Sequence, residues 1–587
     1  MDMRWDLSAL YSGFDSSEFR NDIDVLDKEM KDHEEFLSFL DDKGDSGSKV
    51  KKYIEIRNEI GLLHSKLSNF SELSFSVNTN DQVAFSWMEK LESKLNSLEV
   101  LDARFAMWVS KIEDIEDLKK RDPVIAEHSF HIDELISKAN HSLDDNCEKI
   151  VGKMKATGSS AWGSLHGILT SSLLVEMEKD GKVDMVPISS VRSMAYDGDQ
   201  NKRKFAYEAE LKAYRKIEKS IAASLNSIKG EVITIAELRG YKSPLDMTLL
   251  RSRMENSVLE AMLEAIKEYL PQFRKYYRKK ASLLGHNGGL PFYDLFAPVG
   301  KSDIRFSYEE ARKFIVDNFS SFSRELAQFA DNAFEKRWID AKPKEGKVGG
   351  AFCANLRSIK ESRVLSNFSG SFNDVRTLAH ELGHAYHGHC LNDVSFLNSK
   401  YPMPLAETAS IFCETIINNA ALSKADKNSA ESILEADISS AGQVIVDIYS
   451  RYLFESEVFK RRESGSLSVD ELKDIMIKAQ KESYGEGLDE NVLHPYMWLI
   501  KPHYYLADWN FYNFPYAFGL LFAKGLFAIY LERGKSFIEQ YKSLLEATGR
   551  NSIINVAAEV DIDVCDKKFW IQSLEMISRD IEKFNSL

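Results

Sequence analysis

The sequence predicts a mainly α-helical protein with one small β-sheet beside a histidine-rich helix. Three observations lead there. Apolar residues recur at three- and four-residue steps along most of the chain. Strand signals are confined to two short stretches. No internal repeat or low-complexity tract breaks the pattern. At 587 residues, 44% hydrophobic and 28% charged, the chain can bury a large core and divide into two or three structural units.

Taken in order, "SSEFRNDIDVLDKEMKDHEEFLSFL" sets Phe19, Ile23, Leu26 and Met30 along one face of an amphipathic helix. Similar stretches follow at roughly 47–75, 82–118, 131–143 and 145–174. Val175–Met177 and Val183–Val186 flank Asp180-Gly181, a hairpin signal. A boundary near residue 190 then separates an N-terminal helical domain, 1–190, from residues 191–587. Long helices resume at roughly 198–239, at 255–284 from an Asn256 cap, and at 307–334, with a Gly/Pro loop at 286–300. "KVGGAFCANLRSIKESRVLSNFSG", 347–370, is the second β signal and predicts short strands and a mobile loop. Helix returns from 374 to the end.

Composition excludes several partners. Lys plus Arg number 76 against 91 Asp plus Glu, a net charge of −15, which disfavours nucleic acid and anionic membrane. Five scattered cysteines without a C-x-x-C pair argue against a disulfide framework and for a reducing compartment. Asp2, Arg4 and Asp6 stand where a signal peptide needs an apolar core. No window of about 18 uninterrupted apolar residues predicts a membrane span, so the expected address is the cytoplasm.

Chemistry concentrates in "DVRTLAHELGHAYHGHC", Asp374 to Cys390. Asn373 or Asp374 caps the expected helix. At about 100° per residue, His380 and His384 lie one turn apart and bring both imidazoles to one metal ion. Glu381, offset by about 100°, reaches water at the metal without being a ligand. This is the H-E-x-x-H pattern of zinc hydrolases. Gly383 weakens a helix by about 1 kcal/mol against alanine, a sign that close packing demands it. His387 lies two turns from His380, too far to join the same ion, and reads as packing or as support behind a ligand. His389 reads as surface. A three-histidine site fails, because His387 and Cys390 occupy its glycine and final histidine positions. The third ligand should therefore be a carboxylate. In "YPMPLAETASIFCETIINNAAL", Glu407 falls in the first turn of the next apolar helix. Glu414 follows two turns along the same face, placed to orient a histidine.

These residues carry a resemblance. His380-Glu381-x-Gly383-His384-x-x-His387, with Glu407 and Glu414, resembles the thimet-oligopeptidase-like metallopeptidases, and oligoendopeptidase F within them. "WDLSALY" (5–11), "SGSFNDVRTLAHELGHAYH" and "KPHYYLADWNFYNFPYAFGLLFAKGLFAIY" (501–530) are similar to segments of that subgroup, so the likeness runs end to end. The resemblance implies a helical ellipsoid divided by a deep substrate channel, with residues 1–190 as one wall. It implies one Zn²⁺ on the channel floor and cleavage of internal bonds in short peptides. The 347–370 segment would hold substrate as a sheet edge. His503, Tyr512 and Tyr516 would stabilise the oxyanion or grip the substrate backbone. Independently, all three are donors of the kind an oxyanion needs, in a loop rich in aromatics, and Tyr512 and Tyr516 are four apart, a spacing that allows a shared face.

The expected chemistry is zinc-dependent endopeptidase action. His380, His384 and Glu407 hold the metal, Glu381 is the general base, and His503 and Tyr512 stabilise the oxyanion. The ligand set suits zinc, although cobalt or manganese can substitute. Two alternatives stay open: a helical metallocarboxypeptidase, for which no carboxylate-binding cation stands out, and a non-catalytic peptide-binding protein.

Overall fold

The computed structural model describes residues 2–179, 182–300 and 304–587. Helices dominate it, with one two-stranded and one three-stranded sheet among the described residues. The chain forms two compact units, each assembled from three separate segments. The first comprises 1–142, 304–420 and 529–562; the second comprises 143–303, 421–528 and 563–587. The boundary expected near residue 190 falls inside the second unit.

In the first unit, three long helices, Ser17–Ser38, Ser46–Val77 and Gln82–Val109, are capped by Ser16, Asp45 and Asp81, whose side chains accept backbone N–H bonds. Phe19 and Leu26, two of the predicted apolar positions, are fully buried. Between the helices Tyr53 and Phe105 stack at 3.5 Å. Arg57 grips Asp102 bidentately at 2.6 and 2.9 Å, and Tyr53 Oη donates to the same carboxylate. A buried ion pair of this kind adds little net stability, because desolvation offsets much of its attraction.

The apolar cluster of these helices continues into Leu356 and Leu365 of the three-stranded sheet. There β3 (Ile339–Asp340) pairs parallel with β5 (Glu361–Leu365), which pairs antiparallel with β4 (Phe352–Leu356). The strand order β3-β5-β4 leaves β4 at an edge. Val364 and Ser366 donate toward β3, so Arg363 and Leu365 bond with β4 at Ala354 and Phe352. The backbone groups of Cys353 and Asn355 therefore point outward along the free edge. The next element, helix Phe372–Cys390, packs on β4 and β5.

In the second unit, β1 (Leu174–Lys179) and β2 (Lys182–Pro187) form the expected antiparallel hairpin; its turn, Asp180-Gly181, lies outside the described residues. Two expected long helices are each two: Gln200–Tyr214 with Glu218–Leu238 here, and Tyr308–Phe322 with Arg324–Glu335 in the first unit. Ser323 ends one helix and caps the next, so periodicity runs through the break. The helix from Asn256 starts behind Glu255, one residue before the expected cap. Buried ammonium groups of Lys229 and Lys280 are paired with Glu455 and Glu435, both at 2.6 Å. Residues 514–547 form a helical run long and apolar enough to cross a membrane. However, 72% of its most apolar window is buried within the protein, and Lys524 interrupts it 3.5 Å from Asp437. Those are properties of a core helix.

Candidate active site

The histidine helix is capped by Ser371, not by Asn373 or Asp374. Ser371 accepts from the Asp374 N–H while the Asp374 carboxylate accepts from the Ser371 N–H, a reciprocal capping box. Val375, Leu378, Leu382 and Ala385 bury one face, which turns the face bearing His380 and His384 toward the incoming Glu407.

Glu407 does not lie in a helix's first turn. It occupies the joint between a short turn, Met403–Ala406, and the helix Thr408–Leu422, and its carbonyl accepts the latter's first bond, from Ile411. At this joint its Oε2 stands 3.2 Å from His380 Nε2 and 3.5 Å from His384 Nε2. The ligand atoms of all three residues lie within 4.8 Å of one another, close enough for a single cation. Ser410 Oγ donates to Glu407 Oε2 at 2.7 Å. Glu414 sits behind His380, with Oε2 3.1 Å from Nδ1, and its other oxygen is held by Arg376 Nε at 3.0 Å. Arg376 and Ser410 escaped the sequence reading. The signals were present: Arg376 is one turn before His380, and Ser410 is three residues after Glu407.

Gly383 has a definite cause. A Cβ there would lie 2.6 Å from Ala409 O and Ser410 Cα. The glycine lets the histidine helix approach the backbone that carries Glu407. Gly388 does the same for the sheet, since a Cβ would overlap the Asn355 side chain. Asn355 Oδ1 accepts from Ser362 Oγ at 2.8 Å.

The site is short of positive charge. Burial disfavours a charged His380, but its hydrogen bonds to the Glu407 and Glu414 carboxylates outweigh it and carry its pKa up to about 10. Burial likewise opposes ionised Glu407, yet His380, His384 and Ser410 bring it down to about 2. His384, buried beside a protonated His380, falls to about 4. Two carboxylates thus hold a proton where a divalent cation would serve better, and the donor set fits one. Glu381 is only 6% exposed, and burial lifts its pKa to about 7.

The other predicted residues separate. His387 is fully buried and stacked on Tyr401 at 4.2 Å, with Nε2 2.9 Å from Thr548 Oγ1; burial drives its pKa down to about 3, so it is neutral. His389 is half-buried rather than on the surface, tilted against Phe329 and 3.7 Å from Glu325. In the second unit His503, Tyr512 and Tyr516 form one cluster, with ring centroids 5.2, 5.7 and 6.3 Å apart. Burial and the charges of Arg451 and Lys501 lower the His503 pKa. Phe511, immediately before Tyr512, holds φ +52°. A bulky residue pays about 1–3 kcal/mol for that region, and Phe511 is anchored there against Phe459 and Tyr452.

A family model described as Peptidase family M3 matches residues 193–576. The chain belongs to peptidase family M3. An Oligopeptidase F model matches residues 111–173 of this M3 peptidase. Group B oligopeptidase PepB of Streptococcus agalactiae is 24% identical over 545 residues, covering 92% of this chain and 87% of the relative. Among solved structures, a protein from Chlamydophila abortus superposes with a TM-score of 0.84 at 19% identity, covering 99% of this chain and 98% of the other. Oligoendopeptidase-F from Enterococcus faecium gives 0.71 at 18% identity, covering 97% and 98%. The mainly α fold is that of oligoendopeptidase F, and the M3 peptidase is a metallo-oligopeptidase.

Proposed function

We propose that this M3 peptidase is a zinc-dependent endopeptidase cutting internal bonds of short oligopeptides, with Glu381 as general base. The convergence of His380, His384 and Glu407 carries the reading. Glu381, one residue along the helix, stays outside that ligand set yet nearly buried. Two imidazoles and one carboxylate are the three-ligand set of catalytic rather than closed structural zinc. When bound, the cation supplies a Lewis acid for the scissile carbonyl and acidifies water at the site. Glu381 takes the proton of the attacking water on its carboxylate and hands it to the leaving amine. A base lifted to about 7 retains that proton long enough to deliver it at neutral pH. Ser410, Glu414 and Arg376 hold the ligand side chains in place.

His503 and Tyr512 are proposed as donors to the carbonyl oxygen, with Tyr516 beside them. Their mutual ring contacts and the strained Phe511 that precedes Tyr512 support this. The outward backbone groups of Cys353 and Asn355 suit an extended peptide bound as an added strand, and the oligopeptidase names of the relatives agree with short substrates. A cytoplasmic address, supported by five scattered cysteines, belongs to the same proposal, as does a functional division at residue 190.

The test maps products from an internally quenched nonapeptide, with and without chelator, for wild type and Glu381→Gln. Wild type should cut internally and stop on chelation. The variant should keep its metal and lose about 10²–10⁴-fold in rate. Stepwise removal of single C-terminal residues would make it a carboxypeptidase instead, and undiminished activity in metal-depleted protein would remove the metal from the reaction.

A further inference from the structure

We propose that a cavity within the second unit, lined by Arg192, Tyr207, Phe292, Gln443, His494 and Lys501, binds a small monocarboxylate on the Lys501 ammonium. Its volume is about 360 Å³, within the range of small-ligand sites.

Charge bookkeeping around it points to an anion. Glu210 is 3.4 Å from Arg192 and accepts from Tyr214 Oη at 2.6 Å. Asp294 is paired with Arg203 at 2.7 Å and with His286 at 2.6 Å. Asp447 is held by Arg451. Each nearby carboxylate thus has its own arginine. Lys501 has neither an ion-pair nor a hydrogen-bond partner among the described residues, and it faces the cavity. Burial is the chief influence on it and pushes its pKa down to about 8, which leaves the ammonium charged at neutral pH. A half-buried, unpaired cation carries a desolvation cost that a bound anion offsets.

Two further features belong to the same wall. His494 is 2% exposed and neither ring nitrogen makes a hydrogen bond, the nearest carboxylate oxygen being Glu210 Oε1 at 3.5 Å. Gln443 opens a π-helical turn, Gln443–Asp447, a rare element that concentrates at functional sites. The rest is aromatic: Tyr196 packs on Phe296 at 5.2 Å and Tyr207 on Tyr293 at 5.9 Å. One surplus positive charge matches a monocarboxylate; a phosphate would call for a bidentate arginine or several cations. An aromatic wall beside the cation suits an apolar body on that acid. A peptide's C-terminal carboxylate and a free aromatic acid share this chemistry.

The test is calorimetric titration of the full-length, metal-loaded protein with N-acetylphenylalanine and with its amide. Wild type should bind the acid at least tenfold more tightly than the amide. Lys501→Met should abolish that difference, Lys501→Arg should keep most of it, and His384→Ala should leave it intact. Equal binding of acid and amide by wild type would overturn the proposal, as would a Lys501→Met protein that still discriminates. Loss of discrimination in His384→Ala would place the carboxylate at the metal ligands and refute the cavity. Phenylpropionate and a glycyl-phenylalanine dipeptide, titrated in parallel, tell the two sources apart: tighter binding of the dipeptide identifies a peptide end, tighter binding of phenylpropionate a free acid.

Discussion

Gly383→Ala sets helix preference against ligand geometry. Alanine favours a helix interior over glycine by about 1 kcal/mol, so an isolated helix would gain. In the protein the new Cβ meets Ala409 O and Ser410 Cα at 2.6 Å. These are backbone atoms and cannot swing aside. Ordinary contact begins at 3.4 Å, so the start of helix Thr408–Leu422 must retreat by about 0.8 Å. Glu407 precedes that segment directly and takes a hydrogen bond from Ser410. Metal ligation tolerates displacements of only about 0.2 Å. Overpacking of this kind costs about 1–3 kcal/mol, which outweighs the gain in helix preference. Zinc affinity should fall at least tenfold, about 1.4 kcal/mol, read by competition with a chromogenic chelator, and the metal-free variant should melt below wild type. Wild-type zinc affinity together with a raised melting temperature would refute the close-approach argument.

Other expectations follow from the same geometry. Glu414→Gln weakens the partner behind His380 and should reduce metal affinity about 10–100-fold, measured by the same competition. At pH 7 metal-free His380 holds a proton that a cation must displace; calorimetry of zinc binding in two buffers of different ionisation enthalpy should report proton release, and zero release would contradict the assigned site. In metal-free protein, raised His380 stabilises fully below pH 6.5 and loses that contribution as pH climbs toward 10. Depressed Glu407 contributes above pH 4.5 and loses it as pH falls toward 2. Urea unfolding across pH should show both declines; stability still rising from pH 7 to 10 would disagree. His387→Leu removes the bond to Thr548, whose hydroxyl keeps Leu545 O at 2.7 Å. It should cost about 1–3 kcal/mol in unfolding experiments and leave zinc affinity unchanged.

The residues proposed as metal ligands were legible because helical spacing places them: four residues bring His380 and His384 to one face, and a carboxylate just before the next apolar helix had few other uses. Glu414 could be read by the same rule. The cap was misplaced by two or three residues because Ser371, Asn373 and Asp374 are all capping residues, and only the reciprocal bonds decide among them. Breaks at 215–217 and at Ser323 escaped notice because apolar periodicity survives a one-residue or one-turn interruption. Arg376 showed its place, one turn before His380, but not its role: its partner Glu414 lies 38 residues on, and pattern within one helix says nothing of a charge on another. The interleaving of segments into two units was equally hidden, since local periodicity carries no record of which distant stretches meet.

That interleaving bears on biosynthesis. The histidine helix is translated well before residues 529–562, yet Thr548, which completes the burial of His387, and Phe537–Ala547, which packs on that helix, both come from this late segment. A growing polypeptide therefore carries both imidazoles and the glutamate before the segment that completes the burial of their helix has been made. Full burial of the histidine helix thus waits on a contact 161 residues downstream of His387.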